Sequence, residues 1–108
     1  MKEEALEDIK REAKRIFPDA RLVVLEELPF YLKVRILLND DVFIEIRINE
    51  RNKRKSYALV KHEKRITGFD NLGGWHMHPC RNSSAHRKIA APFLREVFNY
   101  FEQCKNCL

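Results

Sequence analysis

The sequence predicts an α+β fold: a two-layer sandwich in which an N-terminal and a C-terminal helix cover an antiparallel meander sheet of four to five strands. Three observations predict it. Apolar residues recur at helical spacing near both ends, they alternate with polar ones through the middle, and short polar turns separate the alternating runs. The chain has 108 residues, 44% of them hydrophobic and 34% charged, which suits a single domain over 1–108 with one core.

The first helix is read over residues 3 to 17, where Leu6, Ile9, Ala13, Ile16 and Phe17 form one apolar stripe. Glu3, Glu4, Glu7 and Asp8 near its start, and Lys14 and Arg15 near its end, suit the helix dipole, and Pro18 stops it. Residues 21 to 28, rich in Val and Leu and closed by Pro29, are read as the first strand. Leu32, Val34, Ile36 and Leu38 then alternate with Lys33 and Arg35. After the turn Asn39-Asp40-Asp41, Val42, Ile44, Ile46 and Ile48 alternate with Phe43, Glu45, Arg47 and Asn49. Two such runs around a short Asn/Asp loop predict a hairpin. Their parity predicts that Val42, Ile44, Ile46 and Ile48 face the helices and that Glu45 and Arg47 face away. A polar turn over 49–55, a strand over 56–62, a turn over 61–65 and a short strand over 66–69 complete the sheet. From Ala90 to Cys107 the pattern is helical again, with Pro92 suited to the first position and Leu94, Val97, Phe98 and Phe101 as its stripe.

Composition narrows the function. No apolar run approaches the roughly 18 to 20 residues that a membrane span requires. The start, Met1-Lys2-Glu3-Glu4, lacks the apolar core of a signal peptide, so the cytoplasm is the expected compartment. Three cysteines, Cys80, Cys104 and Cys107, do not suggest a secreted disulfide framework, and Cys104-x-x-Cys107 is read as two free thiols. Net charge is +5, unevenly spread: residues 1–50 carry 9 Lys/Arg and 12 Asp/Glu, residues 51–108 carry 12 and 4. The basic back half favours a polyanionic partner such as nucleic acid, with a plain solvated surface as the alternative. Arg51, Lys53, Arg54, Lys55, Lys61, Lys64 and Arg65 are the phosphate-holding candidates. Glu45 and Arg47 are read as an exposed ion pair, and His62 as a surface side chain.

The stretch with chemistry in it runs Gly68-Phe69-Asp70-Asn71-Leu72-Gly73-Gly74-Trp75-His76-Met77-His78-Pro79-Cys80, with His86 just beyond. Three of the four histidines and the only tryptophan fall within twelve residues. In an extended segment His76 and His78 project to one side, and Gly73-Gly74 lets the backbone return Asp70 beside them. Three readings stay open for that set. The imidazoles can hold a divalent metal such as zinc, with Cys80 or His86 and Asp70 as further ligands, His76, His78 and His86 being the candidate metal set. They can instead be a metal-free acid/base pair or a phosphate site, with Asn71 donating to a phosphate oxygen. Or Asp70-Asn71 is a plain turn, Trp75 is core and the histidines are merely exposed.

The same residues resemble the TumE-type family, small presumed toxins of prokaryotic toxin–antitoxin operons. The resemblance lies in a Glu-bearing strand (Phe43-Ile44-Glu45-Ile46), a Tyr strand (Ser56-Tyr57-Ala58), Phe69-Asp70-Asn71, and closely spaced histidines near a proline, here His76, His78 and Pro79. It covers roughly residues 31 to 100. Family members often carry an Arg shortly before the Asp-Asn pair, where this chain has Gly68. They also often place histidines directly after the Asn, where this chain inserts Leu72-Gly73-Gly74-Trp75. The resemblance implies a toxin neutralised by a small helix-turn-helix partner, with RNA as the suspected target; the leading reading is a ribonuclease-like site with Asp70, Asn71, His76 and His78 as the catalytic candidates. The rival is a non-catalytic nucleic-acid- or protein-binding module, with Trp75 stacking a base.

Overall fold

The computed structural model describes residues 2–82 and 84–107, with the Cys107 side chain outside the described set. Helix α1 spans Lys2–Ile16 and buries Ile9 and Ala13, two members of the predicted stripe; Phe17 of the same stripe is buried just past its end. Seven strands follow, β1 Arg21–Leu28, β2 Tyr31–Leu37, β3 Val42–Asn49, β4 Arg54–Lys61, β5 Lys64–Asp70, β6 His76–His78 and β7 Arg87–Lys88. Helix α2, Leu94–Cys104, runs on into a 3-10 turn, Lys105–Cys107. Every neighbouring pair of strands is antiparallel, in the order β1-β2-β3-β4-β5-β6-β7.

The fold class is as predicted, but the strand count is not. Seven strands replace four to five, because β6 and β7 have three and two residues and are too short for alternation to reveal them. The C-terminal helix also starts later than Pro92. Phe93 is extended (φ −76°, ψ 149°) and its N–H donates to Glu96 Oε1 at 2.8 Å, so the first helical residue is Leu94. Pro92 belongs to the extended approach.

Both helices lie on one face of the sheet. Ile44 and Ile46 of β3, Leu32, Val34 and Ile36 of β2 and Leu59 of β4 are fully buried with Ile9, Val97, Phe98 and Phe101 in one core. Glu12 links the helices, since its Oε1 accepts from Arg15 Nε at 3.2 Å and lies 3.5 Å from Arg95 Nε. Glu45 and Arg47 lie on the opposite, helix-free face. There Glu45 accepts from Arg35 Nε at 3.0 Å and from Arg47 Nη2 at 2.9 Å. None of the described helices is long and apolar enough to cross a membrane.

Candidate active site

Residues directly opposite each other in an antiparallel sheet share a face. Two cross-strand rows therefore organise the helix-free side. One runs Arg35, Glu45, Ala58, Gly68, His78, and the next runs Lys33, Arg47, Ser56, Asp70, His76, Lys88. Small residues at Ser56, Ala58 and Gly68 leave the sheet surface low between the Glu45 ion pairs and the histidines. Across three strand spacings those two groups stand roughly 14 Å apart.

The β5–β6 hairpin brings Asp70 back beside His76. Its loop turns on Gly73 (φ +70°) and Gly74 (φ +109°), backbone angles that side chains rarely adopt, and Gly74 N–H donates to the Asn71 carbonyl at 3.1 Å. Asp70 Oδ1 accepts from Leu72 N–H at 3.0 Å, which leaves Oδ2 facing His76 Nε2 at 3.2 Å. The other ring nitrogen, His76 Nδ1, lies 3.1 Å from the Gly74 carbonyl.

His78 is buried one step along the strand. The buried Thr67 hydroxyl donates to its carbonyl and fixes β6 against β5. Past Pro79 the chain is anchored to α2, because Cys80 N–H donates to the Tyr100 hydroxyl at 3.0 Å. Burial pushes the Tyr100 pKa up to about 12, so the anchor is a neutral phenol at ordinary pH. Asn82 N–H donates to Pro79 O at 3.0 Å and Ala85 N–H to Asn82 O at 3.0 Å. β7 then pairs with β6, and Ile89 N–H closes the pairing on the Trp75 carbonyl at 3.2 Å.

The result is a cluster of three imidazoles. Ring centroids of His76 and His78 are 5.3 Å apart, those of His76 and His86 5.3 Å, and those of His78 and His86 4.3 Å. One ring nitrogen from each lies within 4.8 Å of the others. His86, the third metal-ligand candidate of the sequence reading, is the third member; Cys80 is not among the converging atoms. The cluster walls a groove of about 800 Å³ with Asp70, Trp75, Arg54, Arg65 and Lys88.

The other candidate residues divide. Asn71 does not point at a phosphate position: its Nδ2 donates to Lys53 O at 2.8 Å and its Oδ1 accepts from Lys55 N–H at 2.9 Å, tying the basic turn to the end of β5. Of the seven basic residues, Arg54 and Arg65 reach the groove. Lys53 and Lys55 line a neighbouring hollow with Asn71 and Trp75. Arg51 lies over the Phe30 ring, its guanidinium carbon 3.9 Å from the centroid. Lys61 and Lys64 face each other at the far end of the β4–β5 hairpin, roughly 20 Å along the strand from Asp70. Lys88 joins the rim without having been singled out, since only its register opposite His76 places it there.

Arg65 reaches the groove across Gly68. A Cβ on Gly68 would stand 3.4 Å from Arg65 Cδ, so the arginine stem occupies the space that the glycine leaves. The pairing between β4 and β5 slips beside it, with Leu59 opposite Thr67 and Val60 opposite Arg65. Trp75 is half-buried and stacks on Tyr57, with ring centroids 6.2 Å apart and planes 9° from parallel. Cys104 is buried, and its proposed relation to Cys107 lies outside the described residues. His62 is exposed as expected, 3.7 Å from Asp41. Comparison with known protein families, curated proteins and solved structures finds no match for this chain, so its chemistry rests on the geometry of these side chains.

Proposed function

We propose that the protein binds RNA on the helix-free face of its sheet and cleaves the phosphodiester backbone at the cluster of Asp70, His76, His78 and His86. The observation that carries this reading is the convergence of three imidazoles and a carboxylate in one groove rimmed by Arg54, Arg65 and Lys88. RNA holds its own nucleophile, the 2′-hydroxyl. A cleaving site must take that proton, neutralise charge on the phosphate and return a proton to the leaving 5′-oxygen. The cations of the rim suit the second task, and the histidine cluster the first and third, directly or through a bound cation. The resemblance to TumE-type toxins adds a role to the chemistry, that of a toxin held in check by a small helix-turn-helix antitoxin.

The test is incubation of the purified protein with a labelled single-stranded RNA and with the DNA of the same sequence, with and without added divalent ions. RNA should be cut and DNA left intact. His76→Ala and Asp70→Asn should each lower the rate by about 100-fold or more, with little change in melting temperature. A wild-type protein that cuts nothing under any of these conditions ends the proposal, as does cleavage that survives both substitutions.

A further inference from the structure

The contact between Asp70 and His76 poses a chemical question. A backbone carbonyl only accepts, so Gly74 O, 3.1 Å from His76 Nδ1, selects the tautomer with its hydrogen on Nδ1. In that tautomer Nε2 presents a lone pair, yet it faces the acceptor Oδ2 of Asp70 at 3.2 Å. Two acceptors do not face each other at that distance without a proton or a cation between them. A proton accounts for that pair; a cation accounts for that pair and also for the convergence of one nitrogen from each of the three imidazoles.

We infer that His76, His78 and His86 hold one divalent transition-metal ion of the zinc type, and that Asp70, whose Oδ2 lies 3.2 Å from His76 Nε2 but is not among the converging atoms, closes onto the ion as the fourth donor. Zinc bonds of about 2.0 to 2.2 Å in tetrahedral array place neighbouring donor atoms about 3.3 Å apart. The distance from His76 Nε2 to Asp70 Oδ2, 3.2 Å, already matches such an edge. The imidazole nitrogens lie within 4.8 Å of one another and need to close by about 1.5 Å at most. His86 is the exposed member of the three. The Gly74 carbonyl on His76 Nδ1 and the Leu72 N–H on Asp70 Oδ1 are the outer partners that orient metal ligands in known sites. Three nitrogen donors and one oxygen select zinc-type ions over magnesium and calcium, which take oxygen ligands. The site opens on the groove beneath Arg54, Arg65 and Lys88, where a phosphate oxygen can reach the ion as a fifth ligand.

This inference uses the same four side chains as the proposed cleavage site and rests on that placement, but its test reads metal rather than RNA. Chelator-treated protein is titrated with Zn²⁺ by calorimetry and with Co²⁺ by emission of Trp75, the only tryptophan of the sequence and the neighbour of His76. One ion per chain is expected, unaffected by excess Mg²⁺, with Trp75 emission quenched by Co²⁺. His86→Ala, at an exposed position that leaves the core untouched, and Asp70→Asn should each weaken binding tenfold or more. A wild-type chain that binds no ion, or binds it equally well in both variants, overturns the assignment. RNA cleavage by protein shown to bind no ion sinks the metal site and leaves the cleavage reading standing. Stoichiometric, variant-sensitive binding without cleavage supports the metal site and sinks the other.

Discussion

Glu45 accepts from two arginines, Arg35 at 3.0 Å and Arg47 at 2.9 Å, on the open face of the sheet. Burial pushes its pKa up, but the hydrogen bond from Arg35 and the charge and hydrogen bond of Arg47 outweigh that, so the carboxyl sits below its ordinary value of 4.5. A depressed folded pKa means that the unfolded chain takes up the proton first as pH falls. The stability Glu45 contributes is therefore complete above about pH 4.5 and declines as pH falls through the lower folded value. Urea unfolding of wild type and Glu45→Gln should differ most near pH 7 and converge toward pH 3; a gap that stays constant over that range would remove Glu45 from the acid response. The strand alternation makes the outward face of Glu45 legible, and the period of two with a Gly-Gly turn does the same for Asp70 beside His76. The role of Asn71 is not legible in that way. Its amide partners, Lys53 and Lys55, lie 18 and 16 residues earlier in the chain, a relation set by the pairing of β4 with β5 and not by any local pattern.

At the level of elements, β2 through β5 announce themselves because one face is buried and one is not, which writes a period of two into the sequence. Strands β6 and β7 carry no such signal. Their five residues include two histidines, an arginine and a lysine, and they are strands because β5 offers an edge, Thr67 holds His78 O, and Ile89 N–H reaches Trp75 O. The edge of β5 is in turn shaped by Gly68. A Cβ there would meet the Tyr57 carbonyl oxygen at 3.0 Å and the stem of Arg65 at 3.4 Å. The carbonyl is strand backbone and cannot swing aside, so Gly68→Ala forces β5 away from β4 and lifts Arg65 from the groove. We expect this substitution to cost about 1 to 2 kcal/mol in urea unfolding, although alanine ordinarily suits a strand better than glycine does. RNA affinity should fall with it. An alanine variant of equal or greater stability would show that the strands absorb the methyl group without strain.

Across the whole molecule, the two faces of the sheet divide the work. The helices take one face and with it the buried core, so the other is free to display charge without any cost to the core. The charge asymmetry between the halves of the sequence foretells a basic surface, but it does not say which basic residues act together. Sequence distance groups Lys61 and Lys64 with Arg65, whereas the β4–β5 hairpin sends the two lysines to its far end and Arg65 back across Gly68. The pairing of β6 with β5 and β7 also gathers Arg54 and Lys88, 34 positions apart, on one rim. Each phosphate contact on a single strand contributes about −0.7 to the slope of log affinity against log salt. The combined variant Arg54→Ala, Arg65→Ala, Lys88→Ala should therefore flatten that slope for single-stranded RNA by about 2, while Lys61→Ala with Lys64→Ala leaves it nearly unchanged. Filter binding at several salt concentrations distinguishes the two. If the far-end pair flattens the slope as much as the rim triple does, RNA is held by diffuse charge over the whole back half. The groove beside the histidines would then not be where its backbone lies.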